Sequence, residues 1–165
     1  MMNVYVLGAG SGERYPPMQR KEALPAPRSL YVLDLPGYGY ARASHAERTA
    51  FRRLITDTLS RPRLAGVLWL LDLRREPSAD DRATQDLFAA RETRVLVACT
   101  KSDTLAKGAQ ARRARALRVT LRLDDDQMIV TSARKGTGIG ELREAVWGLV
   151  GGPRAEDPGL LPGVS

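Results

Sequence analysis

Several scarcities in this chain exclude whole classes of protein. It has one cysteine, Cys99, so no internal disulfide can form, and a reducing, cytoplasmic setting is expected. His45 is its one histidine, and no spacing of His, Cys, Asp and Glu suggests a metal-ligand set. Neither a Ser-His-Asp arrangement nor a supported Cys-His pair is present, so nucleophilic catalysis has no candidate. The longest apolar run, Leu64 to Leu71, is strand length and far short of the ~20 residues a membrane span requires. No basic-then-apolar signal pattern opens the N-terminus. Acid is also short: 19 Asp and Glu face 26 Lys and Arg, a formal charge of +7.

What remains is the composition of a soluble globular domain. The 165 residues are 43% apolar and 27% charged, about one domain's worth with ample core. Asn3 to Leu7 predicts a short strand, and the glycines from Gly8 to Gly12 predict a turn. Residues 13–28 hold Pro16, Pro17, Pro25 and Pro27 without apolar periodicity and are expected to be irregular. From Ser29 the pattern becomes regular. Ser29 to Leu35 predicts a strand, and Pro36 to Tyr40 a loop. Ser44 and Glu47 have the spacing of a capping box opening a helix to about Leu59, with Phe51, Leu54, Ile55 and Leu59 on one face. Leu64 to Leu73 is continuously apolar, as in a strand buried on both faces of a parallel sheet. Ser78 caps a helix over about 79–91. A strand over Arg94 to Thr100, a helix over 107–123, a strand over Gln127 to Thr131 and a helix over Gly138 to Leu149 follow.

Strand and helix alternate from 29 to 150, which predicts a parallel sheet with helices on both faces and ligands at the strands' carboxyl ends. Three such ends carry polar clusters. Asp34-Leu-Pro-Gly37 offers a carboxylate for a hydrated Mg²⁺ and a glycine whose backbone can approach a phosphate. Thr100-Lys-Ser-Asp103 offers a carboxylate able to accept two N–H bonds from one edge of guanine, with the Lys101 stem covering the base face. Ser132-Ala-Arg-Lys-Gly136 offers the backbone N–H of Ala133 to the guanine carbonyl. Each signal is weak alone; their order on one sheet is specific.

Asp34 to Ala41, DLPGYGYA, is similar to the switch-region sequence of EngB-type (YihA/YsxC-type) ribosome-biogenesis GTPases. The resemblance spans Leu30 to Val150 and includes the TKSD form of the guanine-reading motif and SARKGTGIGEL after the last strand. It implies an α/β, Ras-like P-loop-NTPase fold of three layers with a mostly parallel sheet. It also implies GTP or GDP and Mg²⁺ as ligands, with Asp34 the water-mediated metal partner and Gly37 the γ-phosphate sensor. Thr100, Lys101 and Asp103 are then the guanine readers, with Ser132 and Ala133 closing the base pocket. A role in large ribosomal subunit assembly, linked to septation, follows from the same resemblance, with ribosomal RNA as partner, no membrane, and a monomeric chain.

One departure stands out. The family's phosphate loop, G-x-x-x-x-G-K-[ST], is absent from the sequence, and neither it nor the first switch fits into residues 1–28. Losing three charge-assisted phosphate bonds costs roughly 5–9 kcal/mol, or a thousand- to a million-fold in affinity. The expected organisation is an atypical segment over 1–28, a G domain incomplete at its N-terminus over 29–150, and a disordered tail over 151–165. The expected origin is a truncated or mis-started chain whose GTP binding is impaired. The alternative is a non-catalytic relic that binds ribosomal RNA, through Lys107, Arg112, Arg113, Arg115, Arg118 and Arg122 on one acid-free helix. A fainter likeness of VLGAGSGER to the glycine loop of sugar-phosphate nucleotidyltransferases is contradicted by everything after Leu30. Cys99 and Trp69 are expected in the core, His45 at the surface, and Trp147 docking the last helix.

Overall fold

A computed structural model describes residues 2–10, 29–38, 44–61 and 64–151. Its strands are β1 (Met2–Gly10), β2 (Ser29–Tyr38), β3 (Leu64–Asp72), β4 (Val95–Thr100) and β5 (Met128–Val130). Its α-helices are α1 (His45–Leu59), α2 (Ala79–Ala89), α3 (Lys107–Leu121) and α4 (Ile139–Gly151). The strands form one sheet in the order β2-β1-β3-β4-β5. β3, β4 and β5 are mutually parallel. β1 is antiparallel to both β2 and β3, so β2 runs the same way as the parallel set. The expected α/β sheet, mostly parallel in its core, is what the chain forms.

Capping decides where the helices start. The Ser44 hydroxyl accepts from the Glu47 N–H at 3.2 Å, and the Glu47 carboxylate accepts from the Ser44 N–H at 2.6 Å. That satisfies two of the orphan donors at the start of α1. Ser78 and Asp81 repeat the device on α2, where the carboxylate of Asp81 also accepts the Ser78 hydroxyl at 2.8 Å. α3 ends where Arg122 takes a left-handed conformation at φ 52°. Arg94 donates to the carbonyl of Leu149 at 3.1 Å, within the last turn of α4.

The core divides across the sheet. On one face Trp69, Leu71, Val97 and Cys99 meet Ile55 and Leu59 of α1, Phe88 of α2, and Leu117 and Leu121 of α3. The Trp69 and Phe88 rings meet edge to face, centroids 5.5 Å apart. Such a pair adds about 0.5–1.5 kcal/mol beyond its buried area. On the other face Leu7, Leu96 and Ile129 are covered by Leu149 and Val150 of α4. Cys99 and Trp69 are fully buried, and His45 is exposed, as expected.

Several expectations are corrected. The glycine turn does not begin at Gly8: β1 continues through Gly10, because Gly8, Ala9 and Gly10 pair with Tyr31, Leu30 and Ser29. Pro36 and Gly37 are not loop but part of β2, in the stretch where the pairing with β1 shifts register between Val4↔Leu35 and Met2↔Tyr38. A proline is tolerated there because β2 is an edge strand and a bulge leaves its missing N–H without a ladder partner to lose. Leu54 points outward at 38% exposure, and the buried position on α1 is instead Thr58, whose hydroxyl donates to the Leu54 carbonyl at 2.7 Å. Trp147 is exposed; Leu142, Ala145, Val146, Leu149 and Val150 dock α4. The expectations for residues 11–28 and for the tail beyond Gly151 lie outside the described residues.

Candidate functional site

The carboxyl ends of β3, β4 and β5 converge. Asp72 is paired with Thr100 across the β3–β4 ladder. The Thr100 hydroxyl donates to the Leu71 carbonyl at 3.1 Å, and the Leu73 N–H donates to the Thr100 carbonyl at 3.0 Å, tying the two ends together. Lys101 then turns the chain sharply with φ 62° and ψ 30°, and a 3-10 turn covers Ser102–Thr104. That turn is held from three sides. The Ser102 N–H donates to the Thr131 carbonyl at 3.1 Å. The Thr104 hydroxyl donates to the Lys101 carbonyl at 2.7 Å. The Gln110 amide, from α3, donates to the carbonyls of Ser102 and Leu105, both at 2.9 Å.

Asp103 emerges from this turn half-buried and meets the loop after β5. The Ser132 hydroxyl donates to Asp103 Oδ1 at 2.6 Å, and accepts from the Lys135 N–H at 3.1 Å. The Ser132 bond holds the Asp103 carboxyl below the usual carboxylate range, helped by the nearby charges of Arg134 and Lys135. A carboxylate ionised and aimed in this way can accept a pair of N–H donors from a planar base edge. The loop closes on itself through the Ser132 N–H to the Thr137 carbonyl at 3.0 Å, with Gly136 and Gly138 at φ 69° and 71°. Ala133 is exposed at its tip. The structure therefore brings Thr100, Lys101, Asp103, Ser132 and Ala133 together.

Asp34 and Gly37 lie on β2, two strands away from β3 in the sheet. Asp34 pairs with Tyr5, and Tyr5 with Leu68, so Asp34 stands four residues short of the level of Asp72. At about 3.3 Å per residue that is roughly 13 Å down the sheet. Its exposed side chain belongs to the α4 face, the same face as Val32 and Leu7. Among the described residues no group of three or more His, Cys, Asp or Glu could hold a metal ion. The glycine end of β1 does not supply a phosphate cradle here either. Gly8 lies opposite Leu64, the first residue of β3, and Gly10 opposite Ser29, the first residue of β2. That is the far end of a nine-residue strand, roughly 25 Å from Asp72. Thr100, Lys101, Asp103, Ser132 and Ala133 are thus gathered after β4 and β5, while Asp34 and Gly37 stand apart from them on β2.

Two residues escaped the motif reading. Asp72, at 6% exposure, accepts from Arg74 and from Lys101, whose ammonium lies 2.9 Å away. The Arg74 hydrogen bonds, with a further contribution from Lys101, hold the Asp72 carboxyl well below the usual range against the opposing effect of burial. The signal was there: an Asp closing the most apolar strand, followed by Arg74 and Arg75.

On α3, Arg113 pairs with Glu76 and Arg118 with Asp125. Lys107, Arg112, Arg115 and Arg122 are exposed. Leu117 and Leu121 are buried on the opposite stripe, as the periodicity required. No helix among the described residues is long and apolar enough to cross a membrane.

Comparison with known proteins extends the picture. The chain is 39% identical over 117 residues to the probable GTP-binding protein EngB of Syntrophomonas wolfei, covering 70% of this chain and 60% of that protein. It is 45% identical over 124 residues to the protein of the same description from Gemmatimonas aurantiaca, covering 74% of this chain and 60% of the relative. The counterpart from Bacillus subtilis is 34% identical over 123 residues, covering 73% and 61%. The chain therefore spans about three fifths of the length of the curated relatives it matches. No protein-family model matches it.

Proposed function

We propose that the chain, 34–45% identical to EngB proteins over 117–124 residues, belongs to that family and binds guanine nucleotides, chiefly through the base. Asp103 accepts the guanine N–H pair, Lys101 covers the base face, Thr100 anchors their turn, and Ser132 and Ala133 close the pocket. The observation that carries this is the 2.6 Å bond by which Ser132, after β5, braces Asp103, after β4. On the same assignment Asp34 is the water-mediated Mg²⁺ partner and Gly37 the γ-phosphate sensor. In this reading the absence of a G-x-x-x-x-G-K-[ST] string weakens nucleotide binding at the phosphate end. The cellular role that goes with the family assignment is assembly of the large ribosomal subunit in the cytoplasm, linked to septation, with the chain acting as a monomer.

The test is a calorimetric titration with GDP and Mg²⁺, with ADP as control. Guanine-selective binding that is lost in Asp103→Asn is expected. A folded chain that binds neither nucleotide refutes the assignment.

A second activity is supported by the exposed cations of α3. Lys107, Arg112, Arg115 and Arg122 form a footprint for the phosphate backbone of ribosomal RNA. If all four engage phosphates, the logarithm of affinity for a single-stranded RNA falls with the logarithm of salt at a slope of about −3. Anisotropy titrations at several salt concentrations measure it, and a flat dependence rules it out.

A further inference from the structure

Lys101 is a long side chain with 52% of its surface exposed, yet its end is fixed. Asp72 Oδ2 accepts from Lys101 Nζ at 2.9 Å and from Arg74 Nη2 at 2.6 Å. Asp72 Oδ1 accepts from Arg74 Nε at 2.9 Å and from the Arg74 N–H at 3.1 Å. The carboxylate is almost wholly buried and saturated, with Arg74 gripping both oxygens. A carboxylate held in that way is an immobile anchor, whereas a free lysine samples many rotamers in water. The left-handed turn at Lys101 sends its stem from the end of β4 toward the end of β3. Asp72 lies 29 residues before Lys101, so the anchor comes from a different strand from the turn it serves.

We propose that Asp72 is a positioning residue for guanine-nucleotide binding, holding the Lys101 stem extended across the ends of β3 and β4 as a preformed platform for the base. This rests on the assignment of Lys101 and Asp103 to the base pocket. Arg74 serves the anchor, not the nucleotide: its two side-chain bonds keep Asp72 charged and oriented. Order in Lys101 is established before the ligand arrives, which removes part of the entropic cost of binding.

The experiment is a double-mutant cycle on the full chain, with GDP as the probe. Asp72→Asn is expected to weaken GDP roughly tenfold, the cost of reordering one long side chain. Lys101→Met is expected to weaken it at least as much. The double variant is expected to bind no worse than Lys101→Met, because Asp72 acts only through Lys101. Selectivity for GDP over ADP persists in Asp72→Asn, since Asp103 is untouched. A second readout needs no nucleotide: the ammonium ¹H–¹⁵N resonance of Lys101 is slowed in exchange in the wild type and lost in Asp72→Asn.

The idea fails alone if Asp103→Asn abolishes GDP binding while Asp72→Asn leaves it unchanged, or if the two losses simply add. It fails together with the base-pocket assignment if the folded wild-type chain binds no GDP. Should Asp72→Asn not fold, the wild-type resonance decides: an ammonium exchanging as fast as that of free lysine overturns the anchor.

Discussion

Gly136 and Gly138 provide an internally controlled test of the loop that braces Asp103. Both are left-handed, at φ 69° and 71°. Alanine at either site therefore pays the left-handed penalty, about 1–2 kcal/mol. They differ in what a β-carbon meets. At Gly136 nothing lies within 4 Å. At Gly138 it would sit 2.3 Å from the Val130 carbonyl oxygen and 3.3 Å from Thr131 Cγ2. No flexible side chain can yield there, because the closest atom is backbone at the end of β5. Forced overpacking of this kind costs a further ~1–3 kcal/mol. Gly136→Ala is thus expected to lose about 1–2 kcal/mol and Gly138→Ala about 2–5, of a total that for a domain is about 5–15. With a urea m-value of about 2 kcal/mol/M, Gly138→Ala should unfold at a midpoint lower than Gly136→Ala by about 1 M. The strain enters at Val130, two residues before Ser132, so GDP binding should weaken in Gly138→Ala and stay unchanged in Gly136→Ala. Equal midpoints for the two variants would refute the close approach of this loop to β5, and with it the rigidity ascribed to the Ser132–Asp103 brace.

Two other expectations concern protonation. The Asp72 carboxyl is lowered from 3.8, so its stabilising bonds to Arg74 and Lys101 are fully present above that value and fade as pH falls below it. The difference in melting temperature between wild type and Asp72→Asn should therefore be constant from neutral pH to about pH 5 and shrink below about pH 4; a difference that persists unchanged in acid contradicts it. Burial pushes the Cys99 thiol from 9.0 up to about 12, which stabilises the fold fully below pH 9 and loses that contribution as pH rises toward 12. At pH 8 a thiol reagent should label Cys99 only through global unfolding, with a rate that rises with urea as unfolding does, and prompt labelling without urea would disprove its burial.

The sequence was informative wherever the determinant is local. Ser44 with Glu47, and Ser78 with the residues after it, announce helix starts because capping needs only three residues of chain. The run from Leu64 announces a strand because its residues are apolar on both sides. The gathering of Thr100, Lys101, Asp103, Ser132 and Ala133 was legible because these residues follow strands directly. What stayed hidden depends on distance along the chain. Asn3 to Leu7 is legible as a strand, but its direction is fixed by partners at Leu33 to Leu35 and Leu68 to Leu70. Leu54 and Trp147 carry the right chemistry for a core and still face outward, because the sheet presents its apolar rows to the neighbouring positions of their helices. The Asp72–Lys101 contact joins two strand ends that no spacing rule connects.

The direction of β1 also sets an order of events in synthesis. Since β1 and β2 are antiparallel, with Gly10 opposite Ser29, they form a hairpin whose last pair, Met2 with Tyr38, exists as soon as Tyr38 has emerged. At that moment β3 has not yet left the ribosome. A strand running the other way would need a crossover long enough to return along the whole sheet before any pairing could start. The growing chain can thus shelter its most apolar N-terminal stretch early, holding one open edge of β1 ready. β3 neighbours that edge in the finished sheet, and β4 and β5 lie beyond it in the order in which they are translated.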